Sequence, residues 1–161
     1  MNQPGLQSKL AERELALGQM AKLPKPVVFT NGVFDVLHKG HVTYLEQARA
    51  QGASLVVAIN TDASAKRLGK GADRPLNNER DRATVIAALE SVSMVTWFDE
   101  NTPLELISSL RPDVLVKGGD YDIRKLAETA VVESYGGKAM AIAFVGGYST
   151  TALVQKIRTA S

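Results

Sequence analysis

Five short β-rich runs separated by helix-like stretches predict an α/β fold: a single Rossmann-like domain with a five-stranded parallel sheet and helices on both faces. Two observations carry that prediction. The runs at 27–30, 55–59, 94–98, 114–116 and 138–144 are joined by stretches with helical spacing, and strands joined through helices need crossover connections, which make a sheet parallel. The residues with chemical potential all follow a run, at 30–41, 60–62, 117–121 and 146–151, where a parallel sheet presents the carboxyl ends of its strands to a ligand.

In chain order, residues 1–24 carry Leu6, Leu10, Leu15 and Leu17 among charges and end in Leu23-Pro-Lys-Pro26, which predicts an N-terminal helix and a linker ahead of a main domain at 25–161. Helices are expected at 42–50, 78–90 and 102–110. The last of these should start with Thr102 as cap, Pro103 at the first helical position and Glu105 three residues after the cap. Ser149 or Thr150 is a natural cap for a terminal helix. The loop 66–75 holds Lys66, Arg67, Lys70 and Arg74 with two glycines, and reads as a basic lid, with Lys70 and Arg74 as its candidate ligands. Arg80 and Arg82 oppose a helix dipole at the next helix start, which slightly favours a ligand role for them.

Composition bounds the function. A chain of 161 residues suits one compact domain. No apolar run reaches the roughly 20 residues of a membrane helix, so no membrane partner is expected. With 19 Lys plus Arg against 17 Asp plus Glu, the net charge of +2 gives no footprint for nucleic acid, and any anion site must be local. The absence of cysteine excludes disulfides, thiolate catalysis and cysteine zinc sites. The start Met-Asn-Gln-Pro-Gly has no signal-peptide pattern, and the cytoplasm is the expected location.

The turn after the first run lacks both G-x-G-x-x-G and G-x-x-x-x-G-K-[ST], which disfavours a dinucleotide fold and a P-loop. It carries instead the chain's two histidines, His38 and His41, three residues apart with Gly40 between them. At a helix start such imidazoles face one side, and each can donate an N–H to a phosphate oxygen beside the positive helix end. Ordinary surface or core histidines are the bland alternative; a zinc pair is another, with Asp35 nearby and no soft third ligand. The segment Gly146-Gly-Tyr-Ser-Thr-Thr151 opens a second helix whose free N–H groups would make a second anion site, unless it is merely a well-capped helix.

His38-Lys-Gly-His41 and Tyr148-Ser-Thr-Thr151 resemble the two signatures of the cytidylyltransferase-like nucleotidyltransferase superfamily. Within it, Phe29-Thr-Asn-Gly-Val-Phe-Asp35, Asn60-Thr-Asp62, Lys117-Gly-Gly-Asp-Tyr121, Glu133-Ser-Tyr-Gly-Gly137 and Gly147-Tyr-Ser-Thr-Thr151 together resemble the D-glycero-β-D-manno-heptose 1-phosphate adenylyltransferases, over about residues 25–159. The resemblance implies transfer of AMP from ATP to the sugar 1-phosphate, giving ADP-heptose for surface glycans such as the lipopolysaccharide core. Some relatives are fused to a sugar kinase; the chain looks like the standalone form, with a separate heptose kinase upstream.

By that resemblance His38, His41 and Lys117 are catalytic. Thr30, Asn31, Gly32, Gly118, Asp120, Gly147, Tyr148, Ser149 and Thr150 join the histidines in nucleotide binding, and Asp35, Asn60 and Asp62 join Lys117 on the sugar-phosphate side. Magnesium is expected on the triphosphate, without a protein metal site. The rivals are a glycerol 3-phosphate type cytidylyltransferase and a nucleotide-binding regulatory module without turnover. An N-terminal helix with no partner in such a sheet would favour a homo-oligomer.

Overall fold

The computed structural model describes residues 5–120 and 122–160; Tyr121 of the fourth motif, the first four residues of the N-terminal segment and Ser161 lie outside the described residues. Five strands, β1 (Val27–Gly32), β2 (Ser54–Asn60), β3 (Met94–Phe98), β4 (Val114–Gly118) and β5 (Lys138–Ile142), form one sheet in the order β3-β2-β1-β4-β5. Every pairing is parallel. The helices are α1 (Arg13–Met20), α2 (Lys39–Arg49), α3 (Asp62–Arg67), α4 (Glu79–Ala87), α5 (Leu104–Leu110), α6 (Ala127–Ser134) and α7 (Thr150–Thr159).

Because side chains alternate across a strand, the sheet feeds two cores. On one face Val28, Leu55, Val57, Ile59, Val95 and Val116 pack with Tyr44, Leu45 and Ala48 of α2 and Ala83, Ile86 and Ala87 of α4. On the other, Phe29, Val56, Ala58, Phe98 and Leu115 pack with Ala16 and Met20 of α1, Leu106, Ile107 and Leu110 of α5, and Val132 of α6. The inner strands are buried on both faces, which explains their nearly continuous apolar sequences.

The N-terminal segment departs from expectation. It is two short pieces, a 3-10 turn at Leu6–Lys9 followed by α1, and it lies on the domain. Leu10 forms an isolated parallel bridge to Val95, and the Ala11 N–H donates to the Val95 carbonyl at 2.8 Å, covering the free edge of β3. Leu6 and Leu10 pack on one core, while Ala11, Ala16 and Met20 belong to the other. The N-terminal helix therefore has a partner within the chain and gives no ground for a homo-oligomer, although Leu15 and Leu17 remain exposed.

Other boundaries also shift. α5 starts one residue later than its signal predicts: Pro103 stands at the cap position and accepts the Ile107 N–H through its carbonyl at 2.9 Å, with no side-chain cap. The first two residues of the expected lid, Lys66 and Arg67, are the end of helix α3, capped by Thr61, and Arg67 is anchored to the Asn101 side chain and the Asp99 carbonyl. Only the stretch from Gly69 to Asn78 remains irregular.

The strand order changes direction between β1 and β4, the switch point where a doubly wound sheet opens a crevice. Six residues of β1 register with β2, but only Val28 and Phe29 register with β4. Beyond that point the two strands splay. Tyr44 of α2 fills the gap: its hydroxyl lies 2.6 Å from Thr30 Oγ1 on β1 and donates to the Val116 carbonyl on β4 at 3.4 Å.

Candidate active site

A cleft of about 440 Å³ lies over the carboxyl ends of the strands, within the range of small-molecule sites. Its floor is Asn31, Gly32, Lys117 and Gly118, at the ends of the splayed β1 and β4. One wall is His38, Gly40, His41 and Tyr44; another is Tyr148, Ser149, Thr150 and Thr151; Lys70, Arg74 and Pro75 of the irregular loop close over it.

α2 begins earlier than its apolar spacing indicates, so that His38 is the cap residue and His41 lies in the first turn. The rings stack with centroids 3.7 Å apart and planes 20° from parallel. His41 Nδ1 accepts the His38 backbone N–H at 3.4 Å, which leaves Nε2 to carry the ring proton, and the edge of Phe34 packs against the ring at 5.3 Å. Burial, reinforced by the neighbouring His38 and Lys70, lowers the His41 pKa to about 4; burial also lowers that of His38. Both are therefore neutral near pH 7, each with one N–H donor. His38 Nδ1 is buried without a partner among the described residues.

The start of α7 meets the start of α2. Ser149 caps α7 by accepting the Ala152 N–H at 3.0 Å, and Thr150 Oγ1 donates to the Val36 carbonyl at 3.2 Å. A Cβ on Gly40 would come within 2.9 Å of both the His38 ring and Tyr148 Cβ, so only glycine permits this approach. Two positive helix ends thus converge on one cleft.

On the floor, Lys117 is 8% exposed; its Nζ donates to Asn31 Oδ1 at 2.7 Å and to Glu128 Oε1 at 3.4 Å. Desolvation lowers its pKa, and Glu128 opposes that shift. Lys70, Arg74 and Lys117 face a single lining carboxylate, Asp35, so the cleft is locally cationic on a nearly neutral chain.

With the two signatures brought to one cleft, the deciding comparison is with the family model described as cytidylyltransferase-like, which matches residues 29–156. The chain belongs to the cytidylyltransferase-like family. It is 58% identical over 98% of its length, and 99% of the relative's, to a D-beta-D-heptose 1-phosphate adenylyltransferase of Bordetella bronchiseptica. To the bifunctional protein HldE of Geotalea uraniireducens it is 56% identical over 85% of its own length, which is 28% of that larger protein. Among solved structures, the lipopolysaccharide core biosynthesis protein from Thermoplasma volcanium matches 74% of this chain and 95% of its own, with a TM-score of 0.62 and 26% identity.

In this cytidylyltransferase-like domain most of the expected site residues meet in the cleft: Asn31, Gly32, Asp35, His38, His41, Asn60, Lys70, Arg74, Lys117, Gly118, Tyr148, Ser149 and Thr150 all line it. Thr30, Asp62, Asp120 and Gly147 do not line it. Thr30 is fully buried against Tyr44, and Asp62 pairs with Arg82 at 2.8 Å.

Three charged residues prove to be tied into the scaffold. Asp35 accepts the Leu76 and Asn77 N–H groups at 2.8 to 2.9 Å and Arg74 Nε at 2.8 Å, so it holds the basic loop against the histidine turn. Those bonds keep its carboxyl below the usual range although burial works the other way. Arg82, with a fully buried side chain, spends its guanidinium on the Asn77, Val33 and Asn60 carbonyls and Asp62, and no ligand role remains for it. Arg80 leans on Trp97 and pairs with Glu12 at 2.6 Å.

Phe34, Tyr44, Asn101, Phe144 and Thr151 also line the cleft, and sequence reasoning misses them. Tyr44 carries a findable signal, since it follows His41 by one turn on the face that also bears Leu45 and Ala48. Phe34 holds a left-handed backbone at φ 50°, unusual for a bulky residue and invisible in the sequence. Phe144 reaches the cleft only because β5 stops at Ile142, short of the expected 144.

Proposed function

We propose that the chain transfers AMP from ATP to D-glycero-β-D-manno-heptose 1-phosphate, releasing pyrophosphate and forming ADP-heptose. The observation that carries this reading is the convergence of the α2 and α7 N-termini, with two neutral imidazole donors, on one cationic cleft at the sheet's switch point. The 58% identity to a D-beta-D-heptose 1-phosphate adenylyltransferase supports the substrate pair.

A sugar phosphate has a second pKa near 6, so at neutral pH its dianion is already a nucleophile and needs no general base. It attacks the α-phosphorus of ATP; the new P–O bond forms as the bond to the bridging oxygen of pyrophosphate breaks, and pyrophosphate carries away the electron pair. The protein's work is to bring two anions together and to stabilise charge on the α-phosphoryl oxygens and the leaving group. His38, His41 and the α2 N-terminus donate to the phosphates; Ser149, Thr150 and the α7 N-terminus hold the nucleotide; Lys117 neutralises phosphate from the floor, and Lys70 covers it from the loop.

Magnesium, when bound, would add charge neutralisation at the triphosphate. The residues fit a metal carried by phosphate oxygens: the lining carboxylate, Asp35, already accepts two backbone N–H groups and Arg74. Asn60, which lines the cleft and donates its Nδ2 to Ser64 Oγ at 3.0 Å, remains the candidate for sugar hydroxyls, whereas Asp35 acts by holding the loop. A kinase acting on the sugar would supply the 1-phosphate, and cytoplasmic nucleotide pools would supply ATP. No helix among the described residues is long and apolar enough to cross a membrane.

The test is a matrix of the four nucleoside triphosphates against heptose 1-phosphate and glycerol 3-phosphate, scored for pyrophosphate. ATP with the heptose phosphate should dominate. Preference for CTP and glycerol phosphate would replace the reading with the cytidylyltransferase, and binding without pyrophosphate with a regulatory module.

A further inference from the structure

Glu128 lies outside every motif that identifies the family, yet it is 7% exposed and points into the sheet's switch point. It stands in the first turn of α6, a helix whose other buried residues, Thr129 and Val132, serve packing. Burying a carboxylate is unfavourable unless it is paired, and its partner is the ammonium of Lys117 at 3.4 Å. Asn31 Oδ1, from the end of β1, takes a second proton of the same ammonium at 2.7 Å. The trio bridges β1, β4 and α6 where the β1/β4 ladder has already ended.

We propose that Glu128 is a positioning residue for the transfer reaction: with Asn31 it fixes Lys117 Nζ at the mouth of the β1/β4 opening and keeps that ammonium charged in a dry site. This rests on the reading of Lys117 as a phosphate-facing residue. Lysine alone in such a place would lose charge, since desolvation disfavours the ammonium and only an adjacent anion offsets it. Glu128 acts through Lys117 and needs no contact with substrate. The groups bonded to Lys117 are Asn31 from β1 and Glu128 from α6, while Tyr44 of α2 donates its hydroxyl to the carbonyl of the preceding residue, Val116. The cleft's remaining titratable groups are His38, His41, Asp35, Lys70, Arg74 and Tyr148.

The test is the pH profile of kcat/KM for Glu128→Gln, which keeps the shape and loses the charge, with ATP and the sugar phosphate as substrates. The alkaline limb should move to lower pH by at least one unit, so that activity relative to the parent falls as pH rises and approaches a tenfold loss above the parent's own limb. Glu128→Asp should lie between the two, which also covers the case in which the glutamine variant does not fold. Lys117→Arg, whose charge cannot be titrated away, should abolish the shift when combined with Glu128→Gln. Parallel profiles for parent, glutamine and aspartate variants, whatever their melting temperatures, would overturn the proposal. Lys117→Met with parental kinetics would instead overturn the reading of Lys117 on which it rests.

Discussion

Two buried cations, Arg82 in the first turn of α4 and Lys117 near the end of β4, meet opposite fates. Arg82 finds three carbonyls and a carboxylate within 2.9 Å, which engage four of its five N–H donors. Lys117 finds an amide oxygen and a more distant carboxylate, and its three-donor ammonium lines the cleft. Both charges are local and buried, so burial alone says nothing about function. What separates them is place: the Arg82 side chain is fully enclosed and does not line the cleft, so it organises the fold, whereas Lys117 lines the cleft and can meet an anion there.

The sharpest way to break that distinction is at the enclosed cation, Arg82. Arg82→Met leaves three carbonyls and the Asp62 carboxylate without their shared donor, and should cost about 3 kcal/mol or more of stability. Thermal or urea denaturation reads this directly; a variant as stable as the parent would mean that Arg82 is dispensable and the contrast empty.

On the catalytic side the largest effect should belong to His41. His41→Ala removes a neutral donor aimed at developing phosphate charge and should lower kcat by about 10²-fold or more, with a smaller loss of ATP binding. Activity within a few-fold of the parent would make the stacked pair a packing device.

Lys117→Met sharpens the comparison itself, because it is the same replacement as at Arg82. It should depress kcat/KM of the folded protein at least tenfold; the Glu128 carboxylate left buried without its cation also lowers the melting temperature, so the kinetics decide. A large loss of stability with near-normal kinetics would place Lys117 with Arg82 in the scaffold.

The smallest expected effect is on stability against pH. His41 titrates near 4 when folded and near its ordinary 6.5 when unfolded, so between those values the unfolded chain binds more protons. Stability should therefore rise with pH from about 4 to about 6.5, and His41→Ala should flatten that rise in a series of melting curves. An identical slope in both proteins would show that His41 is not held neutral by burial.

Much of this molecule is legible in the chain by itself. Apolar runs at helix-length intervals determine a parallel sheet, since strand and helix periods are local properties of the chain. The glycine and histidines after the first run, and the serine and threonines after the last, mark the two helix starts because capping and phosphate approach demand small or donor residues within a few positions. Other features depend on partners distant in sequence. That Asp35 holds a loop follows from Leu76 and Asn77 donating their N–H groups to it. Arg82, at a helix start, and Lys117, near a strand end, are both candidate ligands as sequence, and only the surroundings that the fold assembles around them decide which is spent. Glu128 carries no local mark at all. Its burial beside Lys117 arises because α6 packs across the end of β4, and the free energy of a buried charge is set by its neighbours in space.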